Sequence, residues 1–238
     1  MSARIKLIRK LKLYLFSSGI HRIIPGKTLS FLANLSSLSR WISSQKNRGY
    51  SDFPTRNFNY NRRYDLYKYV LDNELSGAAV DYFEFGVAEG TSFKWWVKNI
   101  TNERSRFFGF DTFTGLPEDW GPFKKGSMSG GNSVPQIDDS RHKFYQGLFQ
   151  KTLFEFLESY TGGRKKIILM DADLYSSTLF VLTTLSQLLQ KGDIIIFDEF
   201  NVPMHEYKAF REWSDSFYIR YSIVGEVNNF YQVAIKIE

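Results

Sequence analysis

At 238 residues, 43% hydrophobic and 17% aromatic, the chain has room for one well-packed α/β domain with an extension, and too little for two ordinary enzymatic domains. The lack of cysteine excludes disulfides and thiolate metal sites and fits a reducing cytoplasm, the location expected here, while three scattered histidines, His21, His142 and His205, argue against a histidine-rich metal centre. The formal charge of +6 is unevenly spread: residues 1–50 hold ten Lys or Arg and no acid, leaving 21 basic against 25 acidic residues, a net of −4, for the rest.

The basic arm begins Arg4-Ile5-Lys6-Leu7-Ile8-Arg9-Lys10-Leu11-Lys12-Leu13-Tyr14-Leu15-Phe16, where Ile5, Ile8, Leu11 and Leu15 share one helical face and Lys6, Arg9 and Lys10 another. This spacing predicts a basic amphipathic helix whose apolar run is too short and interrupted for a transmembrane span or a secretory signal. Three roles stay open for it: peripheral attachment to an anionic membrane surface, contact with nucleic acid, and packing on the domain or on a second subunit of a homo-oligomer. A second helix is expected over 28–45, a linker with Pro54 and several Asn over 49–61, and a helix over 62–74 with Leu66, Val70 and Leu71 inward. The expected division is an extension and linker at 1–60 and a folded domain at 61–238.

From Ala79 onward strands and helices alternate. Strands are predicted at 79–86, 106–111, 143–146, 166–171, 193–198, 221–227 and 230–237, with helices near 91–100, 151–160, 176–190 and 205–217. Buried runs joined by helices imply an α/β, Rossmann-like fold: a mostly parallel seven-stranded sheet covered on both faces. The turn-like Asn228-Asn229 makes the last two strands an antiparallel C-terminal hairpin. The long irregular stretch 114–139 reads as a lid or binding loop.

Two strand ends carry the chemistry. The run Lys166-Ile167-Ile168-Leu169-Met170 ends in Asp171-Ala172-Asp173, and Ile194-Ile195-Ile196-Phe197 ends in Asp198-Glu199. Carboxylate pairs at buried strand ends are costly to fold around, so four of them at one sheet edge mark a site, and a divalent cation is the simplest way to neutralise them. Ligands of open α/β sheets bind beyond these carboxyl ends. Adjacent strands lie about 4.8 Å apart, so Asp171 and Asp198 can share one Mg²⁺. If the strand geometry continues, Asp173 falls on the same side as Asp171, within reach of a proton.

The first strand runs into Glu84-Phe85-Gly86-Val87-Ala88-Glu89-Gly90-Thr91-Ser92, a glycine turn opening a helix. Glu84 and Glu89 would repel a pyrophosphate and favour a cofactor with positive groups, such as the ammonium and sulfonium of S-adenosylmethionine. Asp111, 21 residues beyond Gly90, stands where an acid accepts ribose hydroxyls, and Phe113 is placed to pack on adenine. Trp120 and Phe123 in the long loop are candidates for stacking on an acceptor ring.

These motifs resemble the macrocin O-methyltransferase type of class I S-adenosylmethionine-dependent methyltransferases, which includes sugar O-methyltransferases of antibiotic biosynthesis. The resemblance covers roughly 81–213 and rests on Phe83-Glu84-Phe85-Gly86-Val87, Phe110-Asp111-Thr112-Phe113-Thr114-Gly115-Leu116-Pro117, Gly147-Leu148-Phe149-Gln150-Lys151-Thr152-Leu153, Asp171-Ala172-Asp173-Leu174-Tyr175-Ser176-Ser177-Thr178 and Phe197-Asp198-Glu199-Phe200. It implies Mg²⁺ ligands at Asp171, Asp198 and Glu199 and a general base at Asp173. The cofactor is expected on Glu84, Gly86, Ala88, Glu89, Gly90, Thr91, Ser92, Asp111, Thr112, Phe113 and Gly147. Glu199 departs from the two aspartates common in the family's second motif. The implied activity is Mg²⁺-dependent O-methylation of a sugar hydroxyl in a glycan, nucleotide sugar or glycosylated metabolite. Two rivals are a nucleic-acid methyltransferase using the basic arm, against which stands the lack of a Pro-Pro-aromatic turn after Met170, and a non-catalytic binding or assembly protein, against which stand the intact acids and glycine turn.

Overall fold

Eight strands form one sheet in the computed structural model, which describes residues 3–129, 131 and 133–238. They are Tyr50–Ser51 (β1), Val80–Phe85 (β2), Arg106–Asp111 (β3), His142–Gln146 (β4), Lys165–Met170 (β5), Ile194–Phe197 (β6), Tyr221–Val227 (β7) and Gln232–Ile237 (β8). Helices Ala3–Ser18 (α1), Gly26–Ser44 (α2) and Arg63–Val70 (α3) precede β2; Thr91–Asn99 (α4), Phe149–Ser159 (α5), Tyr175–Leu185 (α6) and Glu206–Ser216 (α7) lie between later strands. The strand order is β1-β7-β8-β6-β5-β2-β3-β4, with every pairing parallel except those of β8, which is antiparallel to β6 and β7.

Period-two burial builds this sheet. In β2, Val80 and Tyr82 enter one core while Phe83 and Phe85 enter the other; Ile167 and Leu169 against Ile168 and Met170 repeat the division in β5. One core is closed by Leu66, Tyr67 and Val70 of α3 with Phe93 and Trp96 of α4, the other by residues of α5, α6 and α7. Ala209, Phe210 and Trp213 of α7 are fully buried there, as their helical spacing predicts.

The chain winds outward from β2 through β3 to β4, then returns to place β5 and β6 on the other side of β2. A crevice opens where the winding reverses, beyond the carboxyl ends of β2 and β5.

Two features differ from the sequence expectation. The sheet has eight strands rather than seven, because Tyr50 and Ser51 pair with Gly225 and Glu226 of β7; two residues leave no alternation to read. The stretch between β1 and α3 is also more than a free linker. Asn228 and Asn229, both left-handed at φ 57°, form the hairpin turn and clasp this stretch. Asn228 exchanges hydrogen bonds with the Asn59 backbone at 3.0 Å each way, and Asn229 with that of Thr55 at 2.9 Å. This clasp brings Tyr60 and Arg63 to the carboxyl edge of the sheet.

No helix among the described residues is long and apolar enough to cross a membrane.

Candidate active site

The crevice is built by backbone before any side chain enters it. Gly86 follows β2 with φ 96°, and a Cβ there would collide with the carbonyl oxygen of Asp171, the first residue after β5. Asp171 N–H donates to Phe85 O at 2.9 Å and Asp198 N–H to Met170 O at 3.0 Å, so the ladder of parallel strands carries both acids to one level.

Two adjoining cavities occupy the crevice. The first, about 290 Å³, is walled by Asp111, Thr112, Leu116 and Leu148 together with Asp171, Asp173 and Glu199. The second, about 240 Å³, is walled by Arg63, Glu89, Thr91 and Ser92. Ala88, Met128 and Asp171 belong to both. The long loop between β3 and β4 closes over them, with Met128 reaching the cavities and Ser176 Oγ of α6 donating to Glu118 at 2.7 Å.

The acids repel one another. Burial pushes the Asp171 carboxyl well above its ordinary value, helped by the Asp198 and Asp173 charges. Burial raises Asp173 to about 7, with the Glu199 charge adding to it, and Glu199 itself rises to about 7. Asp173 sits in the left-handed region at φ 57°, a conformation that aspartate tolerates better than most non-glycine residues. The strand stops at Met170, so this turn, and not continued strand alternation, brings Asp173 to the cavity beside Asp171.

Of the expected metal ligands, Asp171 and Glu199 face the first cavity, whereas Asp198 is buried behind it. Asp198 Oδ2 accepts the Tyr60 hydroxyl, and Oδ1 lies 3.9 Å from the Arg63 guanidinium. As they stand, no three acids among the described residues converge on one point. The donor set nonetheless suits a hard divalent cation: Asp198 Oδ1 and Glu199 Oε2 are buried oxygens without hydrogen-bond partners.

The expected cofactor residues separate into three groups. Gly86, Ala88, Asp111 and Thr112 wall the first cavity; Ala88, Glu89, Thr91 and Ser92 wall the second. Glu84, Gly90, Phe113 and Gly147 wall neither. Gly90 and Gly147 act through backbone geometry, Gly90 as the left-handed residue before α4 and Gly147 by donating its N–H to Asp111 O at 2.9 Å. Phe113 points into the core and meets the Phe144 ring edge-on at 5.8 Å, so the apolar wall is supplied by Leu116, Met128 and Leu148 instead. Asp111 braces the glycine turn, accepting the N–H groups of Ala88 at 2.8 Å and Phe113 at 2.7 Å.

Glu84 shares the inward parity of Tyr82 and lies fully buried, accepting from Tyr82 Oη and from Ser92 Oγ. Burial lifts its carboxyl to about 8, so it offers no charge to a ligand at neutral pH, and Glu89 alone keeps that role in the glycine turn. Below the unfolded carboxyl value both states carry the proton; as pH rises the unfolded chain releases it while the folded chain holds it up to about 8. Glu84 therefore costs stability progressively over that window. Glu84→Gln is expected to match the parent near pH 5 and to gain on it by about 1 kcal/mol per pH unit toward pH 8, read from denaturant melts at each pH. Parallel stability profiles would show that Glu84 is ionised in the fold.

Several residues here escaped the sequence reading. Arg63 carried a signal: it lies one turn before Leu66 on the buried stripe Arg63-Leu66-Tyr67-Val70, where a charged group needs a reason. Glu206, fully buried at the start of α7, accepts Glu199 N–H at 2.9 Å and sets the loop that carries Glu199. Tyr231 donates its hydroxyl to Glu199. No local pattern announced Tyr60, Glu206 or Tyr231. Trp120 and Phe123, expected to face an acceptor, stack on each other at 5.2 Å. His205 meets the Trp120 ring edge-on and lines neither cavity.

Residues 83–200 match the model of a family described as a methyltransferase domain. No curated protein matches the chain by sequence. Among solved structures it is similar to CalS11, a TDP-rhamnose 3'-O-methyltransferase of calicheamicin biosynthesis, at 18% identity over 90% of this chain and 95% of that one, TM-score 0.54. The O-methyltransferase NovP aligns at 15% identity over 88% and 98% of the two chains, TM-score 0.58. CmcI, in a form with Mg and SAM, aligns at 18% identity over 84% of each, TM-score 0.50. At these identities the likeness is one of fold.

Proposed function

We propose that this chain, whose residues 83–200 match the model of a methyltransferase-domain family, transfers methyl from S-adenosylmethionine to a sugar hydroxyl with the help of Mg²⁺. The observation that carries this reading is the pair of adjoining cavities, the first walled by Asp111, Asp173 and Glu199 and both walled by Ala88 of the glycine turn and by Asp171.

Each residue has a task in this reading. Asp111 keeps lone pairs for ribose hydroxyls beyond the two backbone groups it holds, and Leu116, Met128 and Leu148 shield the base. The Gly86 turn lets the backbone approach the sulfur end closely. Asp173, whose carboxyl is raised into the neutral range, takes the proton of the acceptor hydroxyl as its oxygen attacks the methyl carbon, leaving the thioether behind. Alignment of that oxygen with the carbon–sulfur bond is the protein's main contribution. Asp171, Asp198 and Glu199 would hold the Mg²⁺, which when bound lowers the pKa of a hydroxyl. A sugar acceptor is favoured because two or more neighbouring hydroxyls suit a cluster of carboxylates. The sugar O-methyltransferase CalS11 shares the fold.

The test is transfer of labelled methyl from S-adenosylmethionine to nucleotide sugars and glycosides, with Mg²⁺ and with a chelator. Chelator-sensitive label in a sugar supports the reading. Label in nucleic acid, or none in any acceptor class despite measurable S-adenosylhomocysteine binding, overturns it.

A further inference from the structure

We infer that α1 docks on an anionic lipid surface, a contact that does not depend on the proposed function. Every residue of α1 is exposed, Leu7 at 59%, Leu11 at 60% and Phe16 at 70%, and so is every residue from Ile20 to Leu29. The domain therefore covers neither the helix nor the turn that follows it. The arm is rooted farther along, in the second half of α2. There Leu38 is buried, and Trp41 packs on the Phe200 ring at 4.8 Å and donates from Nε1 to Tyr221 Oη at 2.8 Å. Among the described residues, 15 of the 24 large apolar side chains left exposed fall before residue 36, so the surplus belongs to the arm and is not scattered over the surface.

Charge says what covers this surface. Leu7, Ile8, Leu11, Tyr14 and Leu15 recur at the spacing that sets them on one face of α1, and Lys6, Arg9, Lys10 and Lys12 fall off that face. Ile5, Leu13 and Phe16 stand among these cations, which extends the apolar surface past the stripe. The first acid of the chain is Asp52, so nothing on the arm neutralises the positive charge. A second arm would set like charges together in a symmetric contact. A protein groove wide enough for Ile5, Leu13 and Phe16 would have to bury the cations between them. Nucleic acid would answer the charges and leave the apolar side chains in water. An anionic bilayer answers both. The apolar side chains enter the boundary between headgroups and acyl chains, while the Lys and Arg stems reach back to the phosphates. Each cation near such a surface strengthens partitioning by about fivefold.

The test is flotation of the full chain with vesicles of phosphatidylcholine alone and of phosphatidylcholine with phosphatidylglycerol. The wild type is expected to float with the mixed vesicles and to stay behind with phosphatidylcholine alone. Lys6→Gln with Arg9→Gln and Lys10→Gln should lower partitioning into the mixed vesicles by about 100-fold, from the loss of three cations. Leu7→Glu with Leu11→Glu should abolish it. All five positions are exposed, so denaturant melts of both variants should superimpose on that of the wild type. Failure of the wild type to float with the mixed vesicles overturns the inference, as does equal flotation with both compositions, whether or not a variant folds. Flotation that survives both sets of substitutions in folded protein places the contact outside α1 and overturns it as well. A dimer that Leu7→Glu with Leu11→Glu separates, or binding of polynucleotide in place of vesicles, overturns it by giving the helix another occupant.

Discussion

Asp173→Asn is expected to lower methyl transfer by about 10²- to 10⁴-fold, the usual contribution of a positioned general base, while S-adenosylhomocysteine affinity stays within about threefold of the parent, well under the 1.4 kcal/mol of a tenfold change. The substitution keeps the size of the side chain and removes only its ability to take a proton. Asp173 lines the first cavity beside Asp171 and Glu199, and burial with the Glu199 charge places its carboxyl at about 7. A base must be deprotonated to act, so the rate of the parent should rise with pH through that region, and the residual rate of the variant should lose this limb. Initial rates over pH with whichever nucleotide sugar or glycoside takes up labelled methyl, together with calorimetry for the cofactor product, separate the outcomes. An unchanged rate would take Asp173 out of the chemistry. A parallel loss of affinity would make it a structural residue of the turn.

Gly86→Ala is expected to cost about 3–5 kcal/mol of stability and to abolish cofactor binding. Two costs coincide at this position: the backbone is at φ 96°, and the new methyl would strike the Asp171 carbonyl oxygen. That oxygen belongs to the backbone just beyond β5, so relief requires parting the two central strands of the sheet. Gly77→Ala is the control. Gly77 has φ 73° but open space where a Cβ would stand, so it should lose only about 1 kcal/mol from the backbone term. Denaturant melts of the two variants measure the difference, and equal losses would mean that close approach at Gly86 is unimportant.

Much of the site was legible because its residues follow strongly periodic segments. The acids of 171–173 and 198–199 and the turn at 86–90 each end a strand legible as a short, continuous buried run, and parallel pairing then brings those ends together. Legibility failed where orientation depends on a neighbour. Glu84 looks like a site acid in sequence, yet strand parity turns it beneath α4, where Ser92 Oγ donates to it at 2.7 Å. Phe113 looks like an adenine platform, but its left-handed backbone at φ 55° directs the ring into the core.

The sequence by itself determined the alternating strands and helices, the antiparallel end of the sheet, the acid-free arm and the edge at which the carboxylates gather, because each follows from local periodicity or from residues a few positions apart. Only the tertiary structure decided that the stretch before α3 is clasped by Asn228 and Asn229, about 170 positions away, that Tyr60 and Arg63 thereby meet Asp198, and that Glu206 holds the loop of Glu199. Those contacts join segments with no periodic relation to one another. Their geometry exists only after the sheet has closed and set the distances between its edges.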